Sequence, residues 1–98
     1  MVYQMDLRIP SRGWCVFTKE NCSFCRKTKE LIPEATFIAS DEYLAKNRDL
    51  FLKTMDKLTS VQHRTFPMVF SDGTFVGGYT ETKSYIDKLS AFDFDQDF

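Results

Sequence analysis

The chain begins with a strict alternation. Tyr3, Met5, Leu7 and Ile9 are separated by Gln4, Asp6 and Arg8, and Pro10 closes the run. That is strand period. Trp14-Cys15-Val16-Phe17-Thr18 follows as a mostly apolar run, the pattern of a strand buried on both faces. A helix is predicted to start at Cys22 with Asn21 as its cap. It carries Arg26, Lys27, Lys29 and Glu30 and stops near Pro33. Ala35-Thr36-Phe37-Ile38 reads as a second short buried strand. Ser40 and Asp41 are cap residues for the longest helix, in which Leu44, Phe51, Met55 and Leu58 share one face. Residues 59–65 turn polar. Phe66-Pro67-Met68-Val69-Phe70 is apolar again and reads as a strand. Ser71-Asp72-Gly73 is a hairpin turn signal, Thr74-Phe75-Val76 the return strand, and Gly77-Gly78 ends it. A last helix spans about Thr80 to Leu89, with Tyr85, Ile86 and Leu89 as its apolar side.

The core order is therefore β-α-β-α-β-β-α, an α/β fold whose mixed four-stranded sheet is covered by helices. Strands joined through helices are expected to be parallel, with right-handed crossovers. The final hairpin adds an antiparallel edge. Residues 3–9 either add a further strand at a sheet edge or form none. At 98 residues the chain is expected to be one domain. Its core covers about residues 13–90, with an extension at 1–12 and a tail at 91–98. At 43% hydrophobic it can fill a core without a disulfide staple. A net charge of -1 argues against general nucleic-acid binding. No apolar run reaches transmembrane length, and the first residues lack the apolar stretch of a signal peptide. A cytoplasmic, reducing location is the resulting expectation, and there a close cysteine pair points to metal or catalysis.

Cys22 and Cys25 are such a pair, placed where a strand ends and a helix begins. That is the usual site of chemistry in α/β sheets. Helix N–H groups and the dipole favour an anion there, and Lys19, Arg26, Lys27 and Lys29 add positive potential. A free cysteine of pKa ~8.5 is only about 3% thiolate at pH 7, and such surroundings lower the pKa to roughly 3.5–7.5. Cys22 is the predicted nucleophile. Cys25, nearly one turn inside the helix and expected to be the more buried, is the predicted resolving thiol. A zinc set of Cys15, Cys22, Cys25 and His63 is disfavoured. Cys15 lies in a buried strand, where it reads as a small hydrophobe, and a second tight ligand pair is missing.

With the cysteine pair, Phe66-Pro67 and Gly77-Gly78-Tyr79-Thr80-Glu81 in order, the chain resembles dithiol glutaredoxins of the thioredoxin fold. The resemblance implies a glutathione-dependent disulfide oxidoreductase and a cis-proline loop at Arg64-Thr65-Phe66-Pro67 facing the active cysteine. It implies glutathione contacts from Lys19 and Arg64 to the glycine carboxylate, and from the loop backbone to the cysteinyl part. Thr80 and Glu81 would hold the γ-glutamyl group, Gly78 would allow close approach, and Phe24 stands where the family commonly has tyrosine. Phe66 is bulkier than the usual valine and is expected to narrow the groove. Ser23 replaces a common proline. Family members without that proline sometimes hold a [2Fe–2S] cluster between two protomers, with glutathione as co-ligand, and that is the alternative reading. No metal of the protein's own is otherwise expected, nor a membrane partner, and the chain is expected to be a monomer. In the tail, Phe92, Asp95, Asp97 and Phe98 resemble the docking peptide of the ribonucleotide reductase small subunit. That implies the reductase large subunit as a partner, engaged through Phe92–Phe98.

Overall fold

The computed structural model describes residues 7–95, with side chains as far as Leu89. The sheet has four strands: β1 (Trp14–Thr18), β2 (Thr36–Ala39), β3 (Met68–Ser71) and β4 (Thr74–Gly77). Their order is β2-β1-β3-β4. The helices are α1 (Ser23–Leu31), α2 (Asp41–Lys46), α3 (Arg48–Thr59) and α4 (Tyr79–Asp95). The thioredoxin-like α/β fold expected from the sequence is the one observed.

Strand period sorts the core into two layers. Cys15 and Phe17 of β1 and Met68 and Phe70 of β3 point to one face, where they meet Phe51 and Met55 of α3. Val16 and Val69 point to the other, where they meet Ile32 at the end of α1 and Ile86 of α4. Phe17, Phe51 and Phe70 are fully buried. Phe17 contacts both other rings, at centroid distances of 6.3 and 5.9 Å. Each such side chain stabilises the fold by roughly 1.5–3 kcal/mol.

Several expectations are corrected. The predicted long helix after Ser40 is two helices, broken at Asn47, whose φ of -142° and ψ of 54° lie outside the helical region. The side chain of Ser40 does not cap: its hydroxyl is buried without a hydrogen-bond partner. The longest helix among the described residues is α4, which continues through Asp95 and takes in part of the predicted tail; residues 96–98 lie outside the described residues. β2 is a half-exposed edge strand rather than a buried one. Residues 7–10 form no strand, although Leu7 and Ile9 pack on the α3-side core; the rest of the predicted N-terminal strand lies outside the described residues.

The direction of β3 also departs from expectation. β1 and β2 are parallel, but β3 runs antiparallel to β1, with Phe17 opposite Met68. The connection from β2 is a pair of helices, so the chain goes out and returns to the same end of the sheet. β3 therefore starts where β1 finishes, and this brings residue 67 beside residue 22. The closing hairpin uses a two-residue turn in which Asp72 and Gly73 have φ of 50° and 83°, the geometry that matches strand twist. Asp72 also pins the start of β1, because its Oδ1 accepts from the Gly13 N–H at 2.7 Å.

Candidate active site

β1 ends at Thr18, and Asn21 reverses the chain in the left-handed region, φ 57°. Asn is one of the few non-glycine residues that visits this conformation readily. The cap of α1 is consequently Cys22, one residue later than predicted. Its sulfur does what a serine hydroxyl does at most caps: it accepts the Cys25 N–H, at 3.1 Å. An N–H aimed at the sulfur favours its ionised form.

Cys22 and Cys25 are joined as a disulfide, with Cα atoms 5.2 Å apart. They are 8% and 6% exposed, so the expected contrast in burial is absent. What separates the two is the backbone: Cys22 stands at the helix mouth and receives an amide, while Cys25 gives one. Cys15 is fully buried and free, and desolvation pushes its thiol pKa up. Among the described residues no group of three or more His, Cys, Asp or Glu is placed to hold a metal ion.

Across from Cys22 lies the loop before β3. The Phe66–Pro67 peptide is cis, and the Phe66 carbonyl is 3.6 Å from the Cys22 sulfur. In the disulfide that sulfur carries no proton to donate, so the contact becomes a hydrogen bond only for the thiol. The Phe66 ring stacks on Phe51, with planes 9° apart and centroids 6.5 Å apart. Much of its extra bulk relative to valine is thus taken up by the core.

A cavity of ≈ 280 Å³ runs along this loop, lined by Phe24, Thr65, Phe66, Pro67, Gly78, Tyr79, Thr80 and Glu81. Seven of the sequence-predicted site residues meet there. Tyr79 was missed. It follows the glycine pair directly, and its ring lies 5.9 Å from that of the half-exposed Phe24. The start of α4 is tightly fixed. Glu81 Oε1 accepts the Gly78 N–H at 2.7 Å, the reach-back half of a capping box. Gly77 has φ 136°, and a Cβ there would lie 2.6 Å from Glu81, so a glycine is required on both counts.

The two predicted cations lie elsewhere. Lys19 lines a second cavity of ≈ 190 Å³ on the β2 side of the disulfide, and its Nζ sits 5.6 Å from the centre of the Phe66 ring. Arg64 is turned to Asp56, which it meets with two hydrogen bonds of 2.6 and 2.9 Å. That guanidinium holds the Asp56 carboxyl below its ordinary range. His63 meets the Thr65 hydroxyl through Nε2 at 3.2 Å and packs edge-on to Phe75.

The glutaredoxin family model matches residues 15–76, which span β1 with the cysteine pair, the cis-proline and most of the hairpin. The chain belongs to the glutaredoxin family. Glutaredoxin 1 from Francisella tularensis is 25% identical, with a TM-score of 0.68 over 81% of this chain and 96% of its own. Wheat glutaredoxin is 29% identical, with a TM-score of 0.61 over 83% of this chain and 78% of its own. The dithiolic glutaredoxin of Trypanosoma brucei brucei, 20% identical, shares the fold, with a TM-score of 0.63 over 84% of each chain. No curated protein matches the sequence. As a glutaredoxin with a paired Cys22 and Cys25, the protein is a thiol–disulfide oxidoreductase.

Proposed function

We propose that this glutaredoxin is glutathione-dependent and reduces protein disulfides and glutathione mixed disulfides. The observation that carries the reading is the single groove formed by Phe24, Thr65, Phe66, Pro67, Gly78, Thr80 and Glu81 beside the Cys22 sulfur. A tripeptide thiol fits its chemistry. The loop backbone is open to the cysteinyl part. The Thr80 N–H lies in the first turn of α4, where the helix supplies no partner of its own, and it faces a carboxylate favourably. One Glu81 oxygen holds Gly78, and the other remains for an amine. Lys19, 5.6 Å from the Phe66 ring, is the cation for the glycine carboxylate. Arg64 joins it only by leaving Asp56.

In the reaction the Cys22 thiolate attacks one sulfur of the target, and the other sulfur leaves as a thiolate. Cys25, or a glutathione, then attacks the Cys22 sulfur and releases the product thiol. Glutathione returns the Cys22–Cys25 disulfide to the dithiol, giving glutathione disulfide. Glutaredoxin potentials of about -200 to -230 mV lie near the cytosolic glutathione poise, so traffic runs in either direction. The reading takes the chain as one monomeric unit, with its core at about 13–90, working in the cytoplasm.

A glutathione-coupled disulfide reduction assay tests it. Cys22→Ser brings the rate to the uncatalysed background. Cys25→Ser loses dithiol reduction and keeps deglutathionylation. Recycling by a thioredoxin reductase in place of glutathione overturns the reading. Ser23, exposed in the first turn of α1 where a proline is common, supports a second one: a glutathione-ligated [2Fe–2S] dimer through Cys22. A visible absorbance band after anaerobic purification is its signature. The spacing of Phe92, Asp95, Asp97 and Phe98 supports the ribonucleotide reductase large subunit as substrate, tethered at raised effective concentration. A peptide of residues 91–98 that fails to compete with the small subunit for the large one removes that partner.

A further inference from the structure

Cys22 stands between two cavities of unlike charge. The groove along the cis-proline loop has one carboxylate, Glu81, and no cation in its lining, with Lys27 Nζ 5.1 Å from the centre of its Phe24 ring. The cleft on the β2 side reverses this. It holds both sulfurs in its wall together with Lys19, Arg26 and Lys29, and no carboxylate lines it. The chain as a whole is nearly balanced, 13 basic against 14 acidic residues, so the cluster is local.

Among the described residues, no salt bridge engages the cluster's three cations. Lys19 and Lys29 are held over the rings of Phe66 and Phe37, at 5.6 and 5.8 Å, which fixes their position without cancelling their charge. The first turn of α1 contains no acid. Glu20 and Glu30, the acids next to Lys19 and Lys29 in the chain, do not line the cleft, and Asp41 accepts the Glu20 N–H at 2.9 Å. At ≈ 190 Å³ the cleft is smaller than the ≈ 280 Å³ groove along the loop. It has room for one or two side chains.

We propose that this cleft receives acidic side chains of the protein substrate, next to the cysteine under attack. The inference rests on the thiol-exchange reading above and deepens it. A tripeptide thiol in the loop groove that takes Lys19 for its glycine carboxylate leaves Arg26 and Lys29 unoccupied in the cleft. A polypeptide whose cysteine is drawn to Cys22 continues past the sulfur, and the three cations lie in its path. Substrates with glutamate or aspartate flanking the reactive cysteine are therefore preferred to neutral ones, and the preference weakens with salt.

The test uses two peptides, each with one internal disulfide, identical except for glutamates or glutamines flanking one cysteine. Wild-type protein is expected to favour the glutamate peptide about fivefold in kcat/KM, the size that one or two solvent-exposed ion pairs supply. The double variant Arg26→Gln/Lys29→Gln is expected to bring the ratio near one, as is high salt. Because the ratio compares two substrates on one protein, a changed Cys22 ionisation or a partly unfolded sample cancels. A wild-type ratio near one, or a preference that survives the double variant, overturns the inference alone. A short oligonucleotide that competes as well as the glutamate peptide overturns the assignment to polypeptide. A wild type that reduces neither peptide with glutathione overturns this inference and the function it rests on.

Discussion

The middle of β1 and the turn after it each hold a cysteine, and both are nearly shut away from water. Cys15 is 0% exposed and Cys22 is 8% exposed. By burial alone they are alike, yet their surroundings drive their chemistry apart. Cys15 lies among Phe17, Phe51, Met55, Met68 and Phe70, where nothing stabilises a charge, and desolvation pushes its pKa up. Cys22 has an N–H aimed at its sulfur and a cleft lined by three cations at its side. Reactivity at Cys22 follows from the N–H and the cations around its sulfur, and inertness at Cys15 from desolvation in an apolar layer.

That contrast can be broken or sharpened at three levels. The largest effect is expected in alkylation of the reduced protein at pH 7. Cys22 should label more than about tenfold faster than Cys15, because the N–H aimed at its sulfur favours a thiolate while burial disfavours one at Cys15. Comparable rates at the two positions, followed by mass spectrometry, would dissolve the contrast. Next is Cys15→Ser, which places a hydroxyl in an apolar layer and should cost about 1–3 kcal/mol in denaturant unfolding. Its disulfide-reduction rate, measured where it is folded, should stay near wild type; a collapse of activity there would make Cys15 a participant. The smallest effect belongs to a surface pair remote from both. The Arg64 guanidinium depresses the folded-state pKa of Asp56. Its contribution is therefore present above the unfolded value of ~3.9 and is lost as pH falls through the folded value. Asp56→Asn should make stability fall less steeply on acidification below about pH 4, and should leave alkylation of both cysteines untouched. An acid-unfolding curve parallel to that of wild type would refute the linkage.

Much of the site was legible in the sequence because its signals are local. The cysteine pair after an apolar strand, Phe66-Pro67 and the double glycine before Thr80-Glu81 each specify a short piece of backbone. Their order along the chain specifies the family. What escaped was set by distant parts of the chain. Asn21 looks like a cap, and only the bend needed to leave β1 puts it in the left-handed region, so that the sulfur becomes the cap. The Leu44–Leu58 periodicity is continuous, and the break at Asn47 carries no proline or glycine to announce it. β2 is apolar enough for a central strand, but its place at the edge follows from which neighbour β3 chooses. The direction of β3 could not be read at all, because it depends on α2 and α3 returning the chain to the end it left. Arg64 is a surface cation in any reading, and its capture by Asp56 is a fact of three-dimensional proximity.

The antiparallel pairing of β1 with β3 carries a consequence for when this enzyme comes into being. The Phe66 carbonyl and the Cys22 sulfur are separated by 44 positions along the chain. A polypeptide emerging from synthesis presents both thiols long before the segment that completes their surroundings. The cleft of residues 18–37 needs nothing later in the chain, but until the sheet closes around its centre the paired thiols lack the loop wall that faces them. The groove beside Cys22 thus belongs to a finished molecule.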